Sequence, residues 1–135
     1  MSKTPFFSMI ENYRVACIMN DKANVDQLVA DLAEANYEES ALLIHHGEAG
    51  LEFIDPDGTR HGGMARFIRS VQKLTSNADA RVFNMVTQAL TDGKYAVSVR
   101  TDGSDEQRIQ VHQLMKSNGG MEIFFKGSGY YEFLN

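Results

Sequence analysis

Two stretches of the chain repeat one pattern, and this repetition constrains the fold more than any other feature. Residues 13–19, Tyr-Arg-Val-Ala-Cys-Ile-Met, form a short apolar run that stops at Asn20 and Asp21. Its β-branched and aromatic content predicts a strand. Val25, Leu28, Val29 and Leu32 then recur at helical spacing while Asp26, Asp31 and Glu34 fall on other faces, as in an amphipathic helix laid on a sheet. Residues 41–44 read as a buried strand running out into His45, His46 and Gly47. From Tyr95 the order returns. A strand over 95–99 is followed by a turn at Asp102 and Gly103, an N-cap at Ser104 or Asp105, and a helix with Val111, Leu114 and Met115 inward. Asn118, Gly119 and Gly120 stop that helix, and residues 121–125 make a further strand. Tyr13 thus corresponds to Tyr95, Asn20 and Asp21 to Thr101 and Asp102, and His45, His46, Gly47 and Glu48 to Phe125, Lys126, Gly127 and Ser128.

Two strand-helix-strand halves predict an α+β fold, a ferredoxin-like sandwich of four strands with helices on one face. The chain of 135 residues suits one domain with one core. It divides into an N-terminal arm (1–12), a first half (13–47), an insertion (48–92) and a second half (93–135). The insertion is too long for a hairpin joining two strands. Met64, Phe67, Ile68, Val71 and Leu74 lie on one helical face, and Val82, Met85, Val86, Ala89 and Leu90 on another, closed by Gly93. A helical hairpin linked by residues 75–79 is expected. Phe6, Phe7, Met9 and Ile10 in the arm either cover the open side of the sheet or pack on a second subunit, and small sheets with uncovered edges favour a homodimer.

The single Cys17 leaves no intramolecular disulfide, and no apolar stretch resembling a signal or a membrane span is present, so a cytoplasmic protein is expected. A net charge of -5 and a pI near 5.3 argue against charge-driven binding to nucleic acid or to anionic membrane. The charge is unevenly spread. Residues 58–78 hold Arg60, Arg66, Arg69 and Lys73 and no acid, so the remainder carries -9.

This island holds the candidate ligand site. Arg60, His61, Gly62 and Gly63 precede a predicted helix, whose free N–H groups and dipole favour an anion. Arg66, Arg69 and Lys73 share one side of that helix and could fork around a phosphate or carboxylate. A solvated helix face would look the same. His45, His46, Glu48, Asp55 and His61 form a second constellation, suited to a transition metal or to acid-base work. Neighbours on a strand point to opposite faces, so a metal would draw on His46, Glu48 and His61. The simpler reading places one histidine between sheet and helix and one at the surface. No phosphate-loop or dinucleotide motif points to a cofactor. Asp55, Pro56, Asp57 and Gly58 read as a tight turn, Cys17 as inert core filling, and His112 as a half-buried packing residue. Tyr130, Tyr131 and Phe133 form an aromatic strand for sheet packing or a dimer contact.

The run His46-Gly47-Glu48-Ala49-Gly50-Leu51, followed by residues 55–62 (Asp-Pro-Asp-Gly-Thr-Arg-His-Gly) and a basic helix, resembles a group of small bacterial proteins of unassigned function. Gly119, Gly120 and the terminal aromatic strand extend the resemblance over residues 13–134. Those proteins are similar in fold to the ferredoxin-like N-terminal domain of general stress proteins. The resemblance implies a stress-related or regulatory role and brings no catalytic residue. The expected function is a non-enzymatic, homo-oligomeric module that binds a small anion at the insertion. The alternative is an enzyme or metal-binding protein using His46 and His61, with the arginines orienting an anionic substrate.

Overall fold

The computed structural model describes residues 12–47 and 77–134. In chain order the elements are β1 (Arg14–Met19), α1 (Lys22–Glu34), a 3-10 turn (Glu39–Ala41), β2 (Leu42–His46), α2 (Asn77–Thr91), β3 (Tyr95–Arg100), α3 (Asp105–Ser117), β4 (Met121–Gly127) and β5 (Tyr130–Phe133). The architecture is α+β, with one sheet in the order β2-β3-β1-β4-β5. Every neighbouring pair is antiparallel. β3 therefore lies between the two strands of the first half, and β1 between the two strands of the second.

Local chemistry sets the helix ends. The Asp21 carboxylate accepts from the Asn24 N–H at 2.9 Å and starts α1. Ser104 does the same for α3, accepting from the Gln107 N–H at 3.2 Å. Each such cap supplies an acceptor for an otherwise orphaned donor, worth about 1 kcal/mol. Asp105 and Glu106 in the first turn of α3 and Lys116 in its last complement the helix dipole. Gly120 lets α3 hand over to β4 in tight quarters, because a Cβ there would sit 2.8 Å from the Met115 carbonyl oxygen and 3.2 Å from the Cys17 Sγ.

Alternation along the strands divides the core in two. On one face Val15, Cys17, Met19, Val97, Val99, Ile123 and Phe125 meet Val25, Leu28 and Leu32 of α1 and Val111 and Met115 of α3. On the other, Ala16, Ile18, Ala96 and Phe124 meet Val82, Phe83, Val86, Ala89 and Leu90 of α2. Full burial of side chains of this size contributes about 1.5–3 kcal/mol each, so both faces demand cover. The helices of the two halves, α1 and α3, share the first face, and α2, from the insertion, covers the second; the sheet has five strands where four were expected, β5 being added at the edge. The apolar stripe expected over 82–90 is the one that packs. Its helix begins at Asn77, two residues inside the expected linker. The first helix of the expected hairpin and the arm residues Phe6, Phe7, Met9 and Ile10 lie outside the described residues.

Candidate functional site

Strand register assembles a basic row that no local stretch of sequence displays. Arg14 of β1 is directly opposite Arg100 of β3 on one side and Lys126 of β4 on the other. Tyr131 of β5 continues the line opposite Lys126. Directly opposed residues of antiparallel strands share a face, and here it is the face covered by α2. Three cations therefore stand side by side at one end of the sheet.

Each is held differently. Arg14 is 2% exposed. Its Nε donates to the Ser98 Oγ at 2.6 Å, and its Nη2 donates to the Ala41 and Ser98 carbonyl oxygens at 2.9 and 3.2 Å. Lys126 is half-buried, and its Nζ donates to the Asn12 Oδ1 at 2.9 Å and to the Gly127 carbonyl oxygen at 2.7 Å, 5.4 Å from the centre of the Tyr131 ring. Arg100 is exposed. The backbone beside the row is pinned by Tyr13, whose N–H donates to the Lys126 carbonyl oxygen at 2.6 Å while its own carbonyl accepts from the Thr101 N–H and hydroxyl at 2.8 and 2.7 Å. Tyr13 takes a φ of 71°, a left-handed conformation costly for an aromatic residue.

The expected histidine pair divides as strand geometry requires. His45 is 7% exposed, and burial draws its imidazole below its ordinary pKa. His46 is exposed, with its ring stacked on Tyr95 at 4.0 Å. The two do not converge. Glu48, Asp55, Arg60, His61, Gly62, Arg66, Arg69 and Lys73 lie outside the described residues. Among the described residues no group of three His, Cys, Asp or Glu side chains is arranged to hold a metal ion. The Cys17 thiol is buried and pushed up to about 12, so it stays protonated and inert. His112 is half-buried on α3, as expected, and burial, Lys116 and Arg108 depress its pKa.

The two edges of the sheet also differ. β5 spans only Tyr130–Phe133. It is flanked by the Arg108–Glu132 ion pair at 2.6 Å and by Arg81, whose guanidinium lies 3.8 Å over the Phe133 ring. β2 reads Leu-Leu-Ile-His-His, pairs with β3 in unbroken register, and leaves Ile44 42% exposed. Among the described residues no strand pairs with its outer side.

Sequence reasoning missed the basic row because Arg14, Arg100 and Lys126 each terminate or interrupt an apolar run and look like ordinary strand ends. The available signal was the correspondence of the two halves, which places β1 between β3 and β4. Comparison with protein families, with curated proteins and with solved structures finds no match to the chain.

Proposed function

We propose that the protein is a non-enzymatic regulatory module that works by self-association on a ferredoxin-like frame. The strand order supports that frame: each half is a strand-helix-strand unit whose two strands are parallel and separated by a strand of the other half. A stress-associated role rests on the motif resemblance alone, and the small anion expected at residues 60–73 is its proposed signal. The non-enzymatic reading is favoured by what the described polar groups do. Asp21 caps α1, Asp31 accepts from Gln27 and Asn118, and Asp102 accepts from the Ser104 N–H.

The single observation carrying self-association is the outer edge of β2, with which no strand among the described residues pairs. Edge strands usually discourage pairing by brevity, lysine, proline or a bulge, and β2 has neither lysine nor proline nor a bulge. A second copy could add its own β2 antiparallel about Ile44, setting Leu42 opposite His46 and Leu43 opposite His45. Such a contact is self-complementary, as a two-fold dimer requires. Native mass spectrometry at high protein concentration should report a dimer, and Ile44→Lys should report a monomer whose far-ultraviolet circular dichroism matches that of the parent and whose melting temperature no longer rises with protein concentration. A monomeric parent protein would overturn the reading.

A further inference from the structure

We propose that β5 is a pH-released edge strand, held against α3 at neutral pH and freed in acid by His112. The release needs neither self-association at β2 nor residues 60–73. It begins from how β5 is held. The strand has four residues, and among the described strands its one neighbour is β4. Glu132, opposite Phe125, shares the face toward α3 and accepts from the Arg108 Nη1 at 2.6 Å. Just past the strand the Leu134 N–H donates to the Ile123 carbonyl oxygen at 2.7 Å, and the Leu134 side chain packs against the core under α1 and α3. On the other face Arg81 lies over the Phe133 ring. That contact is indifferent to pH, because guanidinium stays charged and phenylalanine does not titrate.

His112 stands where that attachment is made. It is one turn beyond Arg108 and one turn before Lys116 on α3, so the three side chains form one row along the helix. The ring is half-buried, and among the described residues its buried Nε2 has no hydrogen-bond partner. A neutral imidazole tolerates this, because one of its nitrogens carries no proton. An imidazolium does not: both nitrogens then donate, and a buried donor without an acceptor is costly. The surrounding charges are unhelpful to it. Arg108 and Lys116 face His112 from its own helix and Glu132 faces it from β5, while β4 beneath contributes the apolar Ile123 and Phe125. The Glu132 carboxylate and that of Asp105 are already engaged by Arg108. A proton on His112 thus adds a third cation to a row whose carboxylates are in use. Burial, Lys116 and Arg108 outweigh Glu132 and hold the imidazole below its ordinary 6.5, so the closed contact is complete above that value and weakens as pH falls through the lowered one. Opening returns the ring to water. β5 yields before the rest, because an edge strand with one neighbour opens locally at less cost than the core. Its release opens the outer edge of β4 to another strand.

The test is amide hydrogen exchange of the full chain, followed by NMR at about pH 7 and about pH 5, within the range where histidine changes charge. Rates are expressed as protection factors, which remove the ordinary pH dependence of the exchange chemistry. The amides of β5 and of Leu134 should lose protection at least threefold in acid, and remain less protected than those of β1 at both values. His112→Gln should keep β5 protected in acid, and His112→Arg, a permanent cation, should lower its protection at both values. Glu132→Gln should retain the pH dependence, because the proton responsible is not on the carboxylate. The proposal is overturned by β5 protection that is constant or rises in acid, or by an acid loss that persists in His112→Gln or vanishes in Glu132→Gln. Equal protection of β5 and β1 would mean that β5 opens only with the whole domain, and would overturn it as well.

Discussion

The two faces of the sheet are built from the same five strands and to different ends. Under α1 and α3, cross-strand rows such as Val15 with Val99 and Phe125 are wholly apolar. Under α2 the corresponding rows are Ala16 with Ser98 and Phe124, and Arg14 with Arg100 and Lys126. The first face is closed by helices belonging to the repeated halves, so its residues answer only to packing. The second is closed by a helix from the insertion, over smaller and more polar side chains. A sheet with one face devoted to stability can carry charge on the other without unfolding, and the candidate site sits on that second face.

The largest effect expected from testing this contrast is at the closed face. Leu28 is fully buried, so Leu28→Ala should cost about 2–5 kcal/mol by lost transfer energy and the cavity left behind, measured by urea unfolding. A smaller loss is expected at the second face from Arg14→Met, which retains much of the buried stem. The Ser98 and Ala41 oxygens would lose their donors, at a cost of about 1–3 kcal/mol. If Arg14→Met proved as damaging as Leu28→Ala, the arginine would belong to the core and the division between the faces would fail.

The smallest expected effect is one of pH. Burial lowers the His45 pKa from its ordinary 6.5, so the folded protein resists a proton that the unfolded chain accepts. Stability is intact above the ordinary value and falls as the pH drops from there through the lowered folded value. Unfolding curves recorded above and below pH 6.5 should show this decline. His45→Gln should flatten it in part, with the remainder due to His112, whose pKa is lowered in the same direction by burial and by Lys116 and Arg108. An undiminished slope in His45→Gln would assign the whole effect elsewhere.

Much of the fold was legible because its signals are local. The helix over Lys22–Glu34 follows from Val25, Leu28 and Leu32 at helical spacing, whereas Asp21, whose side chain caps its start, reads in the sequence only as the end of the preceding strand. The strands follow from short apolar runs. What could not be read was how α2 would be used, because an amphipathic stripe declares that it must be covered without saying by what. The histidine pair was half legible: alternation separates His45 from His46, but the Tyr95 ring on which His46 stacks arrives from a strand far along the chain. The basic row was hidden for the same reason, its members coming from three strands.

By itself, then, the sequence determined the kinds of elements, their order, the Ser104 cap and the repeat of strand, helix and strand, because these depend on interactions within a few residues. The antiparallel neighbours of β1, the division of the core between two faces and the meeting of Arg14 with Arg100 and Lys126 were decided only in the tertiary structure. Strand pairing is a contest between distant segments, settled by burying both apolar faces at once, and a one-residue change of register would turn every one of these side chains to the other side.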